Sequence, residues 1–138
     1  MVTWIVDGDT FHVEGDGGAV IKVRVLGVNS PEVADRMGPE AKEFTRAALE
    51  GKSVTLDVRG YDRWGRALAF VFYEEGGVKK SLGYELALAG LAVVYSSKYA
   101  LNDPEFTRYK EAQMAAMALR KGVWGREGVT VDEVESKR

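Results

Sequence analysis

The turn at residues 15–18, with the sequence Gly-Asp-Gly-Gly, is the feature that most constrains the fold of this chain. Three glycines in four residues favour a tight reversal, because glycine adopts backbone conformations that are strained for other residues. On both sides of the turn, apolar and polar residues alternate as they do in strands with one buried face. The chain is therefore predicted to begin with short β-strands joined by turns, including a bend at residues 7–9.

The strand pattern that follows this turn covers residues 19–28. Val23 and Val25 fall on one face of the predicted strand, and Arg24 falls on the other. Gly38 and Pro39 then open a helix, with proline in the first turn, where its missing N–H has no cost. Two more strand patterns follow, at residues 53–59 and 67–73, with a polar turn between them.

The second half of the chain is predicted to be mainly helical. Ser81 suits the N-cap of a short helix, residues 82–89. Pro104 begins a longer helix that is expected to end near residue 120. Residues 91–95 are expected to be extended. The chain loses its periodicity after Trp124, so residues 1–124 are predicted to form one domain and residues 125–138 a charged tail.

Five short strands, one inserted helix and two later helices predict an α+β domain. A five-stranded Greek-key β-barrel of the oligonucleotide-binding (OB-fold) type with three α-helices fits this order. Such barrels commonly bind nucleic acid on one face. In this fold Trp4 and Trp124 are expected to be core or partly buried aromatics, and His12 a residue of the strand surface.

Composition excludes several classes of function. The 138 residues include no cysteine and one histidine, which excludes thiolate catalysis and histidine-rich metal sites. A bound metal is therefore expected to be a hard cation held by oxygen atoms, calcium or magnesium before zinc. The net charge of −2 argues against coating nucleic acid through bulk positive charge. Because no apolar run approaches the roughly 20 residues of a membrane helix, no membrane association is expected.

The candidate chemical groups lie in three stretches, which we expect to meet in space. Hydrolysis of a phosphodiester needs neutralised phosphate charge, an activated water molecule and donors that strengthen in the transition state. Carboxylates that hold a hard cation, a further carboxylate that takes a proton and two arginines that match phosphate oxygens would meet these needs. Such a set is present as Asp9, Arg24, Asn29, Glu32 and Arg66.

The same residues and their neighbours form an ordered set of short motifs. In chain order they are residues 6–10 (Val-Asp-Gly-Asp-Thr), 24–32 (Arg-Val-Leu-Gly-Val-Asn-Ser-Pro-Glu), 38–41 (Gly-Pro-Glu-Ala), 62–66 (Asp-Arg-Trp-Gly-Arg), 90–92 (Gly-Leu-Ala) and 122–124 (Gly-Val-Trp). In this order the motifs closely resemble the staphylococcal nuclease (thermonuclease) family, over roughly residues 4–124.

The resemblance implies a calcium-dependent, sugar-nonspecific endonuclease that acts on DNA and RNA, with single strands preferred. By its position in these motifs, Asp9 matches a calcium-ligating aspartate of the family, and Ser30 lies where a residue of the family binds the ion through its backbone carbonyl. Glu32 matches the glutamate proposed as general base or water-orienting group. The two arginines that contact the phosphate correspond to Arg24 and Arg66.

Three aromatic residues are candidates for substrate binding. Trp64 stands where the family often has a tyrosine beside the nucleotide, and an indole stacks on bases as well. Tyr95 and Tyr99 lie near another tyrosine that contacts the nucleotide. The resemblance also favours a secreted or cell-envelope protein, although the start of the chain shows no signal-peptide pattern, and a monomer is expected.

Two positions depart from the family pattern. Asn29 replaces the second metal-ligating aspartate, and an amide oxygen still coordinates calcium but brings no charge, so weaker metal binding is expected. The loop at residues 33–37 is shorter than in the family's type member. Two alternatives therefore stay open: a noncatalytic nucleic-acid-binding barrel with a weakened metal site, and a scaffold domain. Retention of Glu32 and of both arginines favours the enzyme, since binding alone needs no water-orienting carboxylate.

Overall fold

The computed structural model describes residues 1–125 and shows a mixed sheet with three α-helices. The α+β prediction is therefore confirmed. The strands are β1 (Val2–Asp7), β2 (Thr10–Glu14), β3 (Val20–Val25), β4 (Val28–Asn29), β5 (Thr55–Tyr61), β6 (Ala67–Glu75), β7 (Val78–Ser81) and β8 (Val93–Val94). The α-helices are α1 (Gly38–Leu49), α2 (Leu82–Leu88) and α3 (Pro104–Ala118), and short 3-10 turns occupy Asp16–Gly18 and Gly122–Gly125.

The main sheet has the strand order β1-β2-β3-β6-β5, and β7 also pairs with β6. Its neighbours are antiparallel except for β3 and β6, which run parallel. Val2 closes the sheet on itself: its N–H donates to the Lys52 carbonyl and its carbonyl accepts from the Gly51 N–H, both at 2.9 Å. The chain leading into β5 is thus held against β1, as expected for a barrel of the oligonucleotide-binding type.

The core packs against both faces of the main sheet. Phe11, Val23 and Val25 are fully buried on the inner face. On the opposite face of β6, Phe70 meets the ring of Tyr109 from α3 edge to face, with centroids 5.9 Å apart. Burial of each such side chain contributes about 1.5–3 kcal/mol to folding. In the described chain α3 therefore covers the outer sheet face at Phe70.

The predicted helix starts are confirmed. α1 carries Pro39 in its first turn. At α3, the Asp103 carboxylate accepts a hydrogen bond from the Glu105 N–H at 2.8 Å. At α2, the Ser81 hydroxyl accepts from the Tyr84 N–H at 3.4 Å. These side chains satisfy backbone donors that the first turn of a helix leaves without intrahelical partners.

The strand predicted for residues 19–28 is interrupted. β3 ends at Val25, and Gly27 adopts a φ of +85°, which favours glycine. Gly27 also lies against Tyr109, because a Cβ atom there would stand 3.2 Å from the ring. The two-residue strand β4 then pairs with β8 in a separate sheet. This break takes residues 28–32 off the main sheet.

The two tryptophans assigned to the core differ. Trp124 is buried, as predicted, whereas the prediction for Trp4 is wrong: its side chain is 59% exposed on β1. Trp4 pairs with His12, on the face of the sheet opposite the buried Ile5 and Phe11. Within residues 1–125, no helix has the length and apolar character needed to cross a membrane. The tail predicted at residues 125–138 lies outside the described residues except for Gly125.

Candidate active site

The turn between β1 and β2 is fixed by α1 and by the loop that follows β4. The Asp9 N–H donates to the Asp7 carboxylate at 3.1 Å, and the hydroxyl of the buried Thr45 donates to the Gly8 carbonyl at 2.6 Å. A Cβ atom at Gly8 would lie 2.8 Å from Ser30 Oγ, a distance that real contacts do not show. Glycine at this position therefore allows the turn and the Ser30 loop to pack together.

Asp9 is fully buried at the centre of this contact. Its Oδ2 accepts the Ser30 N–H at 2.8 Å and lies 3.4 Å from Arg24 Nη2, while its Oδ1 accepts the Thr10 hydroxyl at 2.9 Å. A buried carboxylate is tolerated only where such donors replace water. The fold therefore places Asp9 beside Ser30 and Arg24.

Arg24 is held by backbone and side-chain acceptors and is only 6% exposed. Its Nη1 donates to the carbonyls of Val25 at 2.7 Å and Val28 at 2.6 Å, and its Nη2 donates to Asn29 Oδ1. The guanidinium carbon lies 6.0 Å from the centre of the Tyr95 ring. Because several acceptors of fixed direction hold it, the planar guanidinium has one orientation.

Glu32 stands after the buried Ser30 and Pro31, and its side chain is exposed. Its backbone is fixed: the Glu32 carbonyl accepts the Asp35 N–H at 2.9 Å. A Cβ atom at Gly38 would lie 1.9 Å from that same carbonyl oxygen, so only glycine fits where α1 begins. The start of α1 thus determines the path of the loop that presents Glu32.

The loop at residues 33–37 is fastened to the last described turn. Arg36 donates from Nη1 to the Val123 carbonyl at 3.2 Å and from Nη2 to the Gly122 carbonyl at 3.4 Å. Met37 packs against a small apolar cluster that includes Val123 and Trp124. The segment that carries Glu32 is therefore anchored at a point distant in sequence.

Arg66 and Trp64 belong to a second group, in the turn between β5 and β6. Asp62 Oδ1 accepts the N–H groups of Trp64 and Arg66, both at 2.9 Å, and its Oδ2 accepts Arg66 Nε at 2.7 Å. The Trp64 ring is largely exposed and lies 5.3 Å from the Arg66 guanidinium and 4.3 Å from that of Arg63. Burial alone would raise the pKa of Asp62, but the hydrogen bonds from Arg66 and Trp64, with the charge of Arg66, lower it overall.

The sheet register relates the two groups. Arg24 on β3 pairs with Leu68 on β6 in parallel, and Arg66 precedes Leu68 by two residues. Side chains two positions apart share a face and are about 7 Å apart along a strand, so Arg66 lies on the Arg24 side of the sheet. Tyr99 covers Gly60, the β5 partner of Leu68, because a Cβ there would be 2.6 Å from the Tyr99 ring.

The predicted site residues thus form two groups in the described chain. In the first group Asp9, Asn29, Ser30 and Tyr95 lie around Arg24, and in the second Trp64 adjoins Arg66. Glu32 is exposed at the loop beside the first group, and Tyr99 lies over β5.

Sequence reasoning assigned no role to several residues that build these groups. They are Gly8, Thr10, Gly38, Thr45 and Asp62. Asp62 had a usable signal, because an aspartate that begins a turn commonly accepts the N–H two residues on. No local sequence signal indicates the role of Gly38, because only the fold brings it against the Glu32 carbonyl.

The donor chemistry of the first group fits a hard cation. Among residues 1–125, no three His, Cys, Asp or Glu side chains cluster as a metal site. The Asp9 carboxylate and the Asn29 amide are instead joined through Arg24. Oxygen donors with a single carboxylate suit calcium or magnesium at modest affinity.

Comparison with known proteins places these features in a family. The model of the staphylococcal nuclease homologue family matches residues 22–126. An uncharacterized endonuclease of Haemophilus influenzae is 33% identical over 89% of the chain and 64% of its own length. A probable endonuclease LCL3 of Zygosaccharomyces rouxii is 36% identical over 75% of the chain and 40% of its own length. Endonuclease YhcR of Bacillus subtilis is 29% identical over 90% of the chain and 11% of its own length.

The chain spans less than two thirds of the length of each of these relatives. The family match, by contrast, covers most of the chain and includes Arg24, Asn29, Glu32 and Arg66. The chain therefore belongs to the family of staphylococcal nuclease homologues.

Proposed function

We propose that this chain is a calcium-dependent endonuclease that hydrolyses the phosphodiester bonds of DNA and RNA without selecting the sugar. The observation that carries the proposal is the Arg24 guanidinium, which is buried beside the Asp9 carboxylate and held by carbonyl and amide oxygens. Family membership and the names of the endonuclease relatives support it.

In this proposal Arg24 and Arg66 bind the phosphate from two sides. Both arginines lie on one face of the sheet, and Asp62 accepts a hydrogen bond from the Arg66 Nε rather than from its Nη groups. Guanidinium groups form paired hydrogen bonds to phosphate oxygens, and these strengthen as charge develops in the transition state. Preorganisation by Val25, Val28 and Asp62 reduces the reorganisation needed at that moment.

Glu32 is the proposed general base or water-orienting group. Its side chain is exposed, so water reaches it, while the packing of Gly38 on its carbonyl fixes the backbone. A carboxylate in this position takes a proton from the attacking water or aligns that water with the phosphorus. Loss of this group is expected to slow the chemical step more than substrate binding.

The proposed ligands of the cation are the Asp9 carboxylate, the Asn29 amide and the Ser30 backbone carbonyl. When bound, a divalent cation neutralises phosphate charge and polarises the scissile bond. Calcium is the first choice, and magnesium or another hard cation the second. The single carboxylate predicts that millimolar rather than micromolar calcium is needed, because affinity falls with the number of charged ligands.

The proposed substrate contacts are aromatic. Trp64 presents an exposed ring, and Tyr95 and Tyr99 lie on the same side of the sheet as Arg24. Bases stack on such rings with little sequence preference, and they are accessible in single strands. We therefore propose that single strands are preferred and that the chain acts as a monomer.

The first experiment is hydrolysis of a single-stranded DNA oligonucleotide with calcium, with magnesium and with chelator. Cleavage that needs calcium and is lost in Arg66→Ala supports the proposal. Arg46→Ala is the matched control, because Arg46 is exposed and pairs only with Glu43 and Glu50 among the ion pairs of residues 1–125. Absence of cleavage with any metal overturns the proposal.

A second candidate is a noncatalytic nucleic-acid-binding barrel. The contact of Asn29 Oδ1 with Arg24 favours it, because that oxygen is already engaged by a cation of the protein. Glu32→Gln separates the two functions, with Glu111→Gln on the exposed surface of α3 as the control. An enzyme loses turnover and keeps oligonucleotide binding in Glu32→Gln, whereas a binder has no turnover to lose.

A further inference from the structure

In the part of the chain that the structure describes, the outer face of the sheet carries an exposed row of side chains on β1, β2 and β3. Trp4 on β1 pairs with His12 on β2, and His12 pairs with Lys22 on β3. Residues paired directly across neighbouring strands lie on the same face, about 5 Å apart. These three residues, which we call the outer stripe, therefore cross three strands in one line.

The outer stripe is accessible to solvent. Trp4 is 59% exposed, Lys22 is exposed and His12 is partly exposed. Among residues 1–125, the buried core includes the neighbouring residues Ile5, Phe11 and Val23 but none of the three residues of the outer stripe. A single exposed apolar residue needs no explanation. The alignment of Trp4 with Lys22 and Arg66, which leads towards the candidate active site, does need one.

The outer stripe is continuous with the candidate active site. Lys22 precedes Arg24 by two residues on β3, so both share one face about 7 Å apart along the strand. Lys22 also lines a surface groove together with Trp64 and Arg66. The row from Trp4 through His12 and Lys22 thus leads directly to the second arginine.

The length and chemistry of this row fit one occupant. Crossing from β1 to β6 takes three strand spacings, or about 15 Å, which is the length of roughly four stacked nucleotides at ~3.4 Å each. Lysine and arginine complement phosphate charge, and a tryptophan at each end of the row offers a ring for base stacking. This combination of a basic groove and aromatic platforms is how proteins hold single strands without reading sequence.

We propose that the outer stripe binds the nucleotides that flank the scissile phosphate in a single strand of nucleic acid. Trp4 stacks on a base, Lys22 contacts a backbone phosphate and His12 lies between them. This inference rests on the proposed function, because it names the path of the same substrate. It predicts that long single strands bind more tightly than dinucleotides, and that the difference depends on Trp4 and Lys22.

The test measures binding of a single-stranded 12-mer and of a dinucleotide by fluorescence anisotropy, in chelator so that no cleavage occurs. Trp4→Ala is expected to weaken 12-mer binding roughly 5- to 150-fold, since stacking of one base contributes about 1–3 kcal/mol, and to leave dinucleotide binding unchanged. Trp4→Phe is expected to recover most of the affinity. Lys22→Ala is expected to lower the slope of log affinity against log salt by about 0.7.

Lys110→Ala is the matched control, because Lys110 is exposed on α3 beside Phe106. Unchanged 12-mer affinity in the Trp4→Ala, Lys22→Ala double variant overturns the inference, as does an equal loss for the dinucleotide. Cleavage is scored separately with calcium. A wild-type chain that cleaves while the stripe variants bind normally refutes the stripe alone, whereas stripe-dependent binding without any cleavage refutes the nuclease alone.

Discussion

Asp62 and Arg66, which three residues separate in the chain, are joined by three hydrogen bonds. The Asp62 carboxylate accepts both the backbone N–H and the Nε of Arg66, and the Asp62 N–H donates to the Arg66 carbonyl at 3.0 Å. One side chain therefore sets both the shape of the turn and the direction of the guanidinium. Trp64 lies inside the same turn, and its backbone N–H donates to the same carboxylate.

Asp62→Asn is expected to lower kcat/KM about tenfold while the chain stays folded. The amide accepts fewer hydrogen bonds and loses the ion pair, so Arg66 samples more orientations, and charge-assisted bonds of this kind contribute about 1.5–3 kcal/mol. The measurement is steady-state hydrolysis of a single-stranded oligonucleotide. Asp35→Asn, in the loop at residues 33–37, is the control for loss of a carboxylate, and equal rates in the wild type and Asp62→Asn would contradict the role.

The Asp62–Arg66 pair also predicts a pH dependence of stability. The pKa of Asp62 is lower in the folded chain than in the unfolded chain, so its stabilisation is complete above the unfolded value and is lost as the pH falls through the folded value. The difference in free energy of unfolding between the wild type and Asp62→Asn is expected to be about 1 kcal/mol at neutral pH and to decrease as the pH falls below about 4, the ordinary aspartate pKa. Urea unfolding across that range checks this, and a constant difference would refute it.

Arg24→Lys is expected to reduce kcat/KM by about 100-fold and the free energy of unfolding by about 2 kcal/mol, because lysine keeps the charge but not the planar fork. The carbonyls of Val25 and Val28 and the Asp9 carboxylate would each lose part of a buried partner. Hydrolysis rates and urea unfolding give the two quantities. Arg46→Lys, at an exposed position on α1, should change neither, and a fully active Arg24→Lys chain would exclude a bidentate phosphate contact.

Asn29→Asp is expected to lower the calcium concentration for half-maximal activity about tenfold, because it adds one charged ligand to the Asp9 carboxylate. Calorimetric titration of calcium and the calcium dependence of hydrolysis measure the change. Asn102→Asp is the control for added charge, since Asn102 is exposed before α3. If the two variants bind calcium as the wild type does, Asn29 is not a ligand.

Gly38→Ala is expected to lower the free energy of unfolding by about 1–3 kcal/mol and to lower kcat more than it changes KM. The new methyl group would meet the Glu32 carbonyl, so either the start of α1 or the loop that carries Glu32 must move. Gly15→Ala is the matched control, because its Cβ would have its nearest neighbours at 3.8 Å. Equal effects of the two substitutions would show that the loop path does not matter.

The sequence predicted the elements whose signals are local. Pro39 and Pro104 marked helix starts, and both helices begin within one residue of the expected position. The interruption after Val25 was not predicted, because Gly27 turns the chain away to pair β4 with β8, a partner more than 60 residues later. Local alternation contains no information about such a partner.

In the candidate site too, some features were predictable from the sequence and others depend on partners distant in the chain. The spacing of Asp9, Arg24 and Asn29 followed the family pattern, and the fold brings these side chains into contact. The burial of Arg24 did not follow from its strand position, since it depends on the carbonyls of a turn that closes only in the folded chain. Trp4 was misassigned because alternation indicates two faces of a strand but not which part of a face remains uncovered.

The anchoring of Arg36 to Val123 and Gly122 affects the order in which the protein is assembled during synthesis. These contacts join positions 87 and 86 residues apart in the chain. A ribosome adding about 5–20 residues per second needs roughly 4–17 s to make the residues between them. The strands of the barrel are thus complete before the loop that presents Glu32 is fastened, and the candidate catalytic carboxylate is the last part of the site to be fixed on the nascent chain.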